Sequence, residues 1–330
     1  MNSRGNGGAA TPGVAGLVGR MWQASPPLTA VGILMLVVAV PSVVGIFIDP
    51  RIITGAPAWL KPFKFAVSTA AYSLTLAWIF TMLPGWPRVR RVVGWTTAIV
   101  FVLEVALIDA QAWRGTTSHF NVSTLGNAIV FSIMGLAILV QTAVSVAVAI
   151  ALWRHRFIDR ALGWALRLGM TLTILGAMTG PLMTRPTAAQ LADARAGKPM
   201  PVAGAHSVGG LDGGPGLPVT GWSREHGDLR VAHFIGLHAI QVLALIALLF
   251  GQWRRPVPVR VRAVLAGAAS YTALFLLLLW QALRGQSVVA PDATALASIA
   301  VWALVTVVAL GWIGLGAREA SRDGFNRMAV

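Results

Sequence analysis

The chain has no cysteine, which excludes disulfides, thiolate metal sites, a cysteine nucleophile and iron–sulfur clusters, whatever compartment its loops face. Charge is nearly as scarce. Only 11% of the 330 residues are charged, against about a quarter in a soluble domain. Acids are the rarer sign, with 11 Asp and Glu beside 26 Lys and Arg. So few charges cannot cover a water-facing surface. What is present is apolar: 56% hydrophobic residues, 13 tryptophans, 35 glycines and a mean hydropathy of +0.72. The composition puts the chain in a membrane, where the unit to count is the spanning segment.

A lipid-spanning helix needs about 20 mostly apolar residues, because in hydrocarbon only hydrogen bonds within the segment satisfy its backbone. Eight stretches qualify, near 28–48, 63–83, 92–112, 124–153, 164–183, 231–252, 263–283 and 294–315. The expected fold is an all-α integral membrane protein of eight transmembrane helices. Val122 to Trp153 carries no charge, whereas Gly180-Pro181 breaks the outer end of the fifth stretch. Residues 1–27, rich in Gly, Ala and Pro, read as a short disordered cytoplasmic tail, and 318–330 as a second cytoplasmic tail. A cleaved signal peptide is the competing reading of the start, but the run after Pro27 continues for 21 uncharged residues, longer than a signal core.

Lys and Arg bias in short loops sets orientation. Arg4 and Arg20, Arg88-Val89-Arg90-Arg91, Arg154, Arg156 and Arg160, Arg254, Arg255, Arg260 and Arg262, and Arg318, Arg322 and Arg327 all fall on one side of an eight-span chain. Both termini are therefore expected in the cytoplasm and the protein in the plasma membrane. The net charge of +15 is mostly this topology signal, and the lipid bilayer is the partner it implies. Nucleic acid is not, since the basic residues are dispersed over membrane loops with no aromatic-interleaved domain to present bases.

Gln111-Ala112-Trp113-Arg114-Gly115 closes the third stretch and Gln281-Ala282-Leu283-Arg284-Gly285 the seventh, 170 positions later. The upstream turns Trp86-Pro87-Arg88 and Trp253-Arg254-Arg255-Pro256 sit at nearly the same offset. These pairs point to a four-plus-four parallel tandem repeat, 28–160 and 161–317, the second carrying an extracytoplasmic loop over 184–230. The plainer reading is that Arg and Gly commonly end spans.

Ionisable groups in hydrocarbon are costly and mark function by default. Two acids qualify, Glu104 and Asp109, both in span three; span six carries His233 and His238, with Gln241 further in. At about 1.5 Å per residue, Glu104 and His238 lie at one depth and Asp109 and His233 at another, so two carboxylate–histidine rungs are expected if the spans are neighbours. Five residues turn a helix by about 140°, so both rungs cannot share one straight line. On span six, His226, Arg230, His233, His238 and Gln241 fit one cavity-lining arc. The outer loops add a vestibule of Arg51, Lys61, Lys64, Gln111, Arg114, His119, Asn121, Arg185, Asp228 and Arg230. Snorkelling to headgroups, or hydrogen bonding between helices, explains any one of these singly.

The stretch Asp228-Leu229-Arg230-Val231-Ala232-His233-Phe234-Ile235-Gly236-Leu237-His238-Ala239-Ile240-Gln241, with the glycine-rich run before it and Ser118-His119-Phe120-Asn121, resembles an uncharacterised group of bacterial multi-pass membrane proteins, which implies no activity. In architecture the chain is also similar to haem A synthase, with eight spans in two four-helix halves. That family distributes its haem-ligating histidines over both halves, whereas here spans two, four and eight contain none.

Two functions follow. One is a secondary transporter or proton-coupled permease for a small anionic solute, with Glu104 protonatable and the basic vestibule facing outward. The other is a membrane-embedded oxidoreductase or other enzyme using a metal, haem or quinone, with His119, His233 and His238 as candidate metal ligands beside Glu104 and Asp109. A sensor or assembly subunit is a third, non-catalytic possibility. No catalytic triad, zincin motif or phosphate loop can be read, since the run Gly209-Gly210-Leu211-Asp212-Gly213-Gly214-Pro215-Gly216 follows no strand and lacks the closing lysine. The 184–230 loop is expected to cover the outer cavity.

Overall fold

The computed structural model of the chain describes residues 13–252 and 255–328, with side chains to Gly314. Arg4, Trp253, Arg254 and the side chains of Arg318, Arg322 and Arg327 lie outside the described residues. Helices dominate: α1 (Val14–Ala24), α2 (Pro26–Ile48), α3 (Leu60–Phe80), α4 (Pro87–Trp113), α5 (Leu125–Arg154), α6 (Arg160–Ala177), the short α7 (Gly180–Met183) and α8 (Ala188–Arg195), α9 (Leu229–Leu237), α10 (Ala239–Gln252), α11 (Val257–Leu283) and α12 (Ala293–Met328). Two small antiparallel pairs, β1 (Ile52–Ile53) with β2 (Ala56–Pro57) and β3 (Ser207–Val208) with β4 (Gly227–Asp228), precede α3 and α9. Among the described residues seven helical segments are long and apolar enough to cross a membrane, and the pair α9 and α10, bent by 46°, is an eighth if it counts as one span. The chain is thus an all-α membrane protein.

The sequence sets the helix ends by ordinary chemistry. Proline in the first turn opens α2, α4 and α11, where its missing N–H costs nothing. Thr124, Asp159 and Asp228 cap α5, α6 and α9 by accepting backbone N–H bonds. The two Gln-Ala-x-Arg-Gly segments fold alike. Gly115 and Gly285 are left-handed (φ 70° and 75°). The next N–H in each case, of Thr116 and Gln286, donates back to the carbonyl of Gln111 and Gln281. Each glutamine side chain then reaches forward to a carbonyl six residues on, Gln111 to Thr117 at 3.3 Å and Gln281 to Ser287 at 2.9 Å.

Small residues let helices cross closely, as packing in lipid favours. A Cβ on Gly32 would enter the Leu74 side chain, joining α2 to α3, and Gly176 and Gly236 lie backbone to backbone where α6 crosses α9. Leu76, Phe80, Leu83, Leu152, Leu166, Met170 and Ile240 form a core that links α3, α5, α6 and α10, while Ile33, Val37, Val40, Leu139, Val305 and Val308 face outward to lipid. Around it, α2, α3 and α4 pack on one another with α5 against α4, and α6, α9, α10 and α11 do the same with α12 against α11.

One expectation is corrected. Within residues 1–27, expected to be disordered, Val14–Ala24 is helix. Leu17 and Met21, a turn apart, pack on the core while Val14 and Trp22 stay exposed, an amphipathic arrangement suited to the membrane interface. The 184–230 loop, which follows α7, carries α8 and the β3–β4 pair, and is knitted to the corner after α4 by the Asn121–Val202 bridge.

Candidate functional site

The polar residues at the loop-bearing end divide into two groups. Some tie corners. Arg51 forks onto Asp49 and donates to the Trp113 carbonyl at 2.8 Å. Arg114 and Gln111 bond each other and Asn127, and Asn121 closes its own turn through Thr116 and Ser123. Arg185 is exposed at the surface.

The others converge beneath the loop. Lys61 and Lys64, on the first turns of α3, share their surroundings with Arg230 at the start of α9. Lys61 Nζ stands 3.1 Å from His119 Nδ1, and Ser118 Oγ 3.0 Å from the same atom. Two donors on Nδ1 assign its lone pair there and the His119 proton to Nε2. The ring rests against Phe65 and Phe120. Burial, reinforced by the Lys61 ammonium and by His206 and His233, holds His119 well below the ordinary histidine range, so it is neutral and accepts from Lys61.

His206 and Asp212 join this group, and the sequence alone did not single them out. Asp212 accepts from the backbone N–H groups of His206 and Ser207 and from His206 Nδ1 at 2.9 Å. Although burial opposes it, these bonds hold the Asp212 carboxyl below the usual range; burial lowers His206 against the pull of its partner. Phe120 packs edge-on against His206, ring centroids 4.8 Å apart. The signal that could have found the pair is an acid in a glycine-rich loop otherwise made of small residues.

Glu104 is 1% exposed and neither carboxylate oxygen has a hydrogen-bond partner among the described residues. The opposite charge it faces is Lys61. The carboxylate–histidine rungs are overturned. The α4 helix packs on α2, α3 and α5, whereas α9 and α10 pack on α6 and α11. His233 turns away from Asp109: its Nδ1 donates to the Gly176 carbonyl at 2.9 Å, with Thr179 Oγ1 3.0 Å away. His238 lies against Phe234 at the bend, centroids 4.4 Å apart. Asp109 is half-buried, and one of its oxygens has no hydrogen-bond partner among the described residues, while the Gln241 side chain lies beside His238. The cause is the glycine contact between α6 and α9, which brings those helices so close that α6, not α4, receives the histidine.

At the mouth, Asp228 is 1% exposed and forks onto Arg230, with the shortest contact at 2.6 Å. Arg230 also donates to the Gly221 carbonyl at 2.7 Å, and Lys64 to that of Thr220 at 2.7 Å. Among the described residues no group of three His, Asp or Glu side chains is placed together so as to hold a metal ion. The arrangement suits anion recognition and proton movement: a basic cluster under the loop, neutral histidines with opposite tautomers, and an unpartnered carboxylate one step further in. No protein-family model, curated protein or solved structure matches the chain.

Proposed function

We propose that the chain is a proton-coupled permease of the plasma membrane, with eight spans, both termini cytoplasmic, and the basic cluster on the outer side. The observation that carries this reading is Glu104, a carboxylate buried without a hydrogen-bond partner and facing Lys61, which bonds His119. An ionised carboxylate left unpaired in hydrocarbon is too costly to serve as structural glue. It is tolerable in a site that alternates between protonated and paired forms. Asp212 and His206 near the outer surface, then His119 and Lys61, are stations by which a proton reaches Glu104. Further in, the buried hydroxyls of Ser73, Thr97 and Ser25 also have no partner among the described residues and offer positions for water.

A four-plus-four parallel duplication supports the permease reading, because repeats of this kind build alternating-access proteins. Leu60 to Leu229, Pro87 to Val257 and Leu125 to Ala293, the starts of α3 and α9, α4 and α11, and α5 and α12, are 169, 170 and 168 residues apart. A β-pair stands before the second helix of each half, and the helix contacts of one half recur in the other.

Proteoliposomes enclosing a pH-sensitive dye test the proposal. Small carboxylates or phosphates added outside are expected to drive internal acidification. Glu104→Gln should cut this about 100-fold, the scale of losing a positioned proton-transfer group, while thermal stability is retained. Acidification that persists in Glu104→Gln, or none in the wild type with any solute of these classes, overturns it.

A further inference from the structure

We propose that Lys64 and Arg230 form an oxyanion site, and that the Pro218–Gly221 turn is a lid latched on it whose backbone carbonyls stand where the anion binds. This rests on the reading of the loop side as the ligand-facing side. The first observation is strain. Val219 has φ 65°, and the Thr220 N–H donates to the Pro218 carbonyl two residues back at 2.7 Å. That is a γ-turn of the positive-φ form, rare for any residue and an outlier for a β-branched one. Such strain persists only where the surroundings impose it.

The second observation is what imposes it. The two carbonyls after Val219 are each held by a cation, Thr220 by Lys64 and Gly221 by Arg230, both at 2.7 Å. Gly221 is itself left-handed (φ 66°), which lets the two carbonyls serve different helices. Lys64 and Lys61 make no ion pair among the described residues, and the one carboxylate beside Arg230, Asp228, is already engaged by its guanidinium and by the Ser223 N–H. A carbonyl dipole is a weaker partner for an ammonium than a carboxylate or phosphate oxygen. An oxyanion between Lys64 and Arg230 therefore displaces both carbonyls, removes the latch and lets Val219 relax. On the far side the lid is anchored by Trp222 against Phe234, centroids 5.8 Å apart, so it pivots on that contact.

Hydrogen exchange tests this, because the turn's amides are internally bonded: Leu217 to Trp222, Thr220 to Pro218 and Gly221 to Leu217. The protein is placed in phosphatidylcholine nanodiscs at pH 7.5 and given inorganic phosphate, with chloride at matched ionic strength as control. Phosphate is expected to speed exchange over 215–224 about tenfold. Lys64→Gln should exchange at the fast rate without phosphate and no longer respond. A parallel arm with phosphatidylglycerol nanodiscs and no phosphate separates a headgroup source from a soluble one; faster exchange there supports the site with lipid as ligand. Exchange unchanged in both arms, slowed by phosphate, or equally affected by chloride overturns the proposal. Glu104→Gln keeps the lid response, so a wild type that shows the lid response but no solute-driven acidification condemns the permease reading alone.

Discussion

Glu104 and Asp228 are buried to the same degree, 1% exposed, yet are opposite chemical objects. Asp228 accepts from the N–H groups of Ser223 and Arg230 and from the Arg230 guanidinium; Glu104 accepts from nothing described. Removing charge must therefore have opposite consequences. Asp228→Asn leaves Arg230 uncompensated beside Lys64 and costs about 2–3 kcal/mol, at the low end for a broken buried pair because Arg230 is partly exposed. Glu104→Gln is neutral or stabilising, since it removes an unpaired charge. A fall in thermal midpoint for the first and none for the second is the expected result. Glu104, Lys61 and His233 were legible in the sequence because charge inside an apolar run announces itself. His206 and Asp212 were not, for their meeting with His119 depends on how a long loop folds back over the α4 corner. The rungs failed for a related reason. Depth along a helix is readable from spacing, but which helix stands opposite depends on glycine contacts, and Gly176 against Gly236 decided that.

The bend between α9 and α10 has a specific cause, and it was invisible in a stretch that reads as one apolar run. The Thr173 hydroxyl inserts at the break, donating to the Leu237 carbonyl and accepting from the Ile240 N–H, both at 3.3 Å; Tyr271 donates to the freed Ile235 carbonyl at 2.6 Å. Thr173→Val removes the bridge, leaves two backbone groups unpaired in the core and lowers stability by about 1–3 kcal/mol. The loop that covers this end of the bundle has its own sensitivity. Burial holds His119 and His206 below the ordinary histidine value in the folded loop, so below about pH 6.5 the unfolded loop binds more protons than the folded one. Stability of the cover is complete above that pH and falls as the solution is acidified, each histidine adding up to about 1.4 kcal/mol per pH unit. Asp212, held low, contributes down to about pH 4 and so does not offset the loss in that range. Exchange of amides over 201–228, corrected for intrinsic rates, is expected to be faster at pH 5.5 than at 7.5; equal rates would remove the histidines from this role.

Across the whole molecule the open choice is between seven spans and eight, and it turns on whether α9 and α10 cross or dip and return. Together they hold 9 and 14 residues, a length of about 35 Å at 1.5 Å per residue, against about 30 Å of hydrocarbon. Their two ends have different neighbours. The start of α9 lies beside the C-terminal end of α11, where a Cβ on Gly227 would meet the Ala282 carbonyl. Ala247, late in α10, clusters with Ala161 and Ala165 at the start of α6, and there Arg260 bonds Asp159. Those neighbours belong to opposite ends of the bundle, which favours a crossing with a kink. The cysteine-free chain makes this testable with single substitutions. Val219→Cys is expected to react with an impermeant maleimide on intact cells. Arg156→Cys, in the corner between α5 and α6, and Arg255→Cys, after α10, should react only once the cells are permeabilised. If the Arg255→Cys variant reacted on intact cells as the Val219→Cys variant does, the pair would be re-entrant, α11 and α12 would run in the reverse direction, and the parallel duplication would go with them.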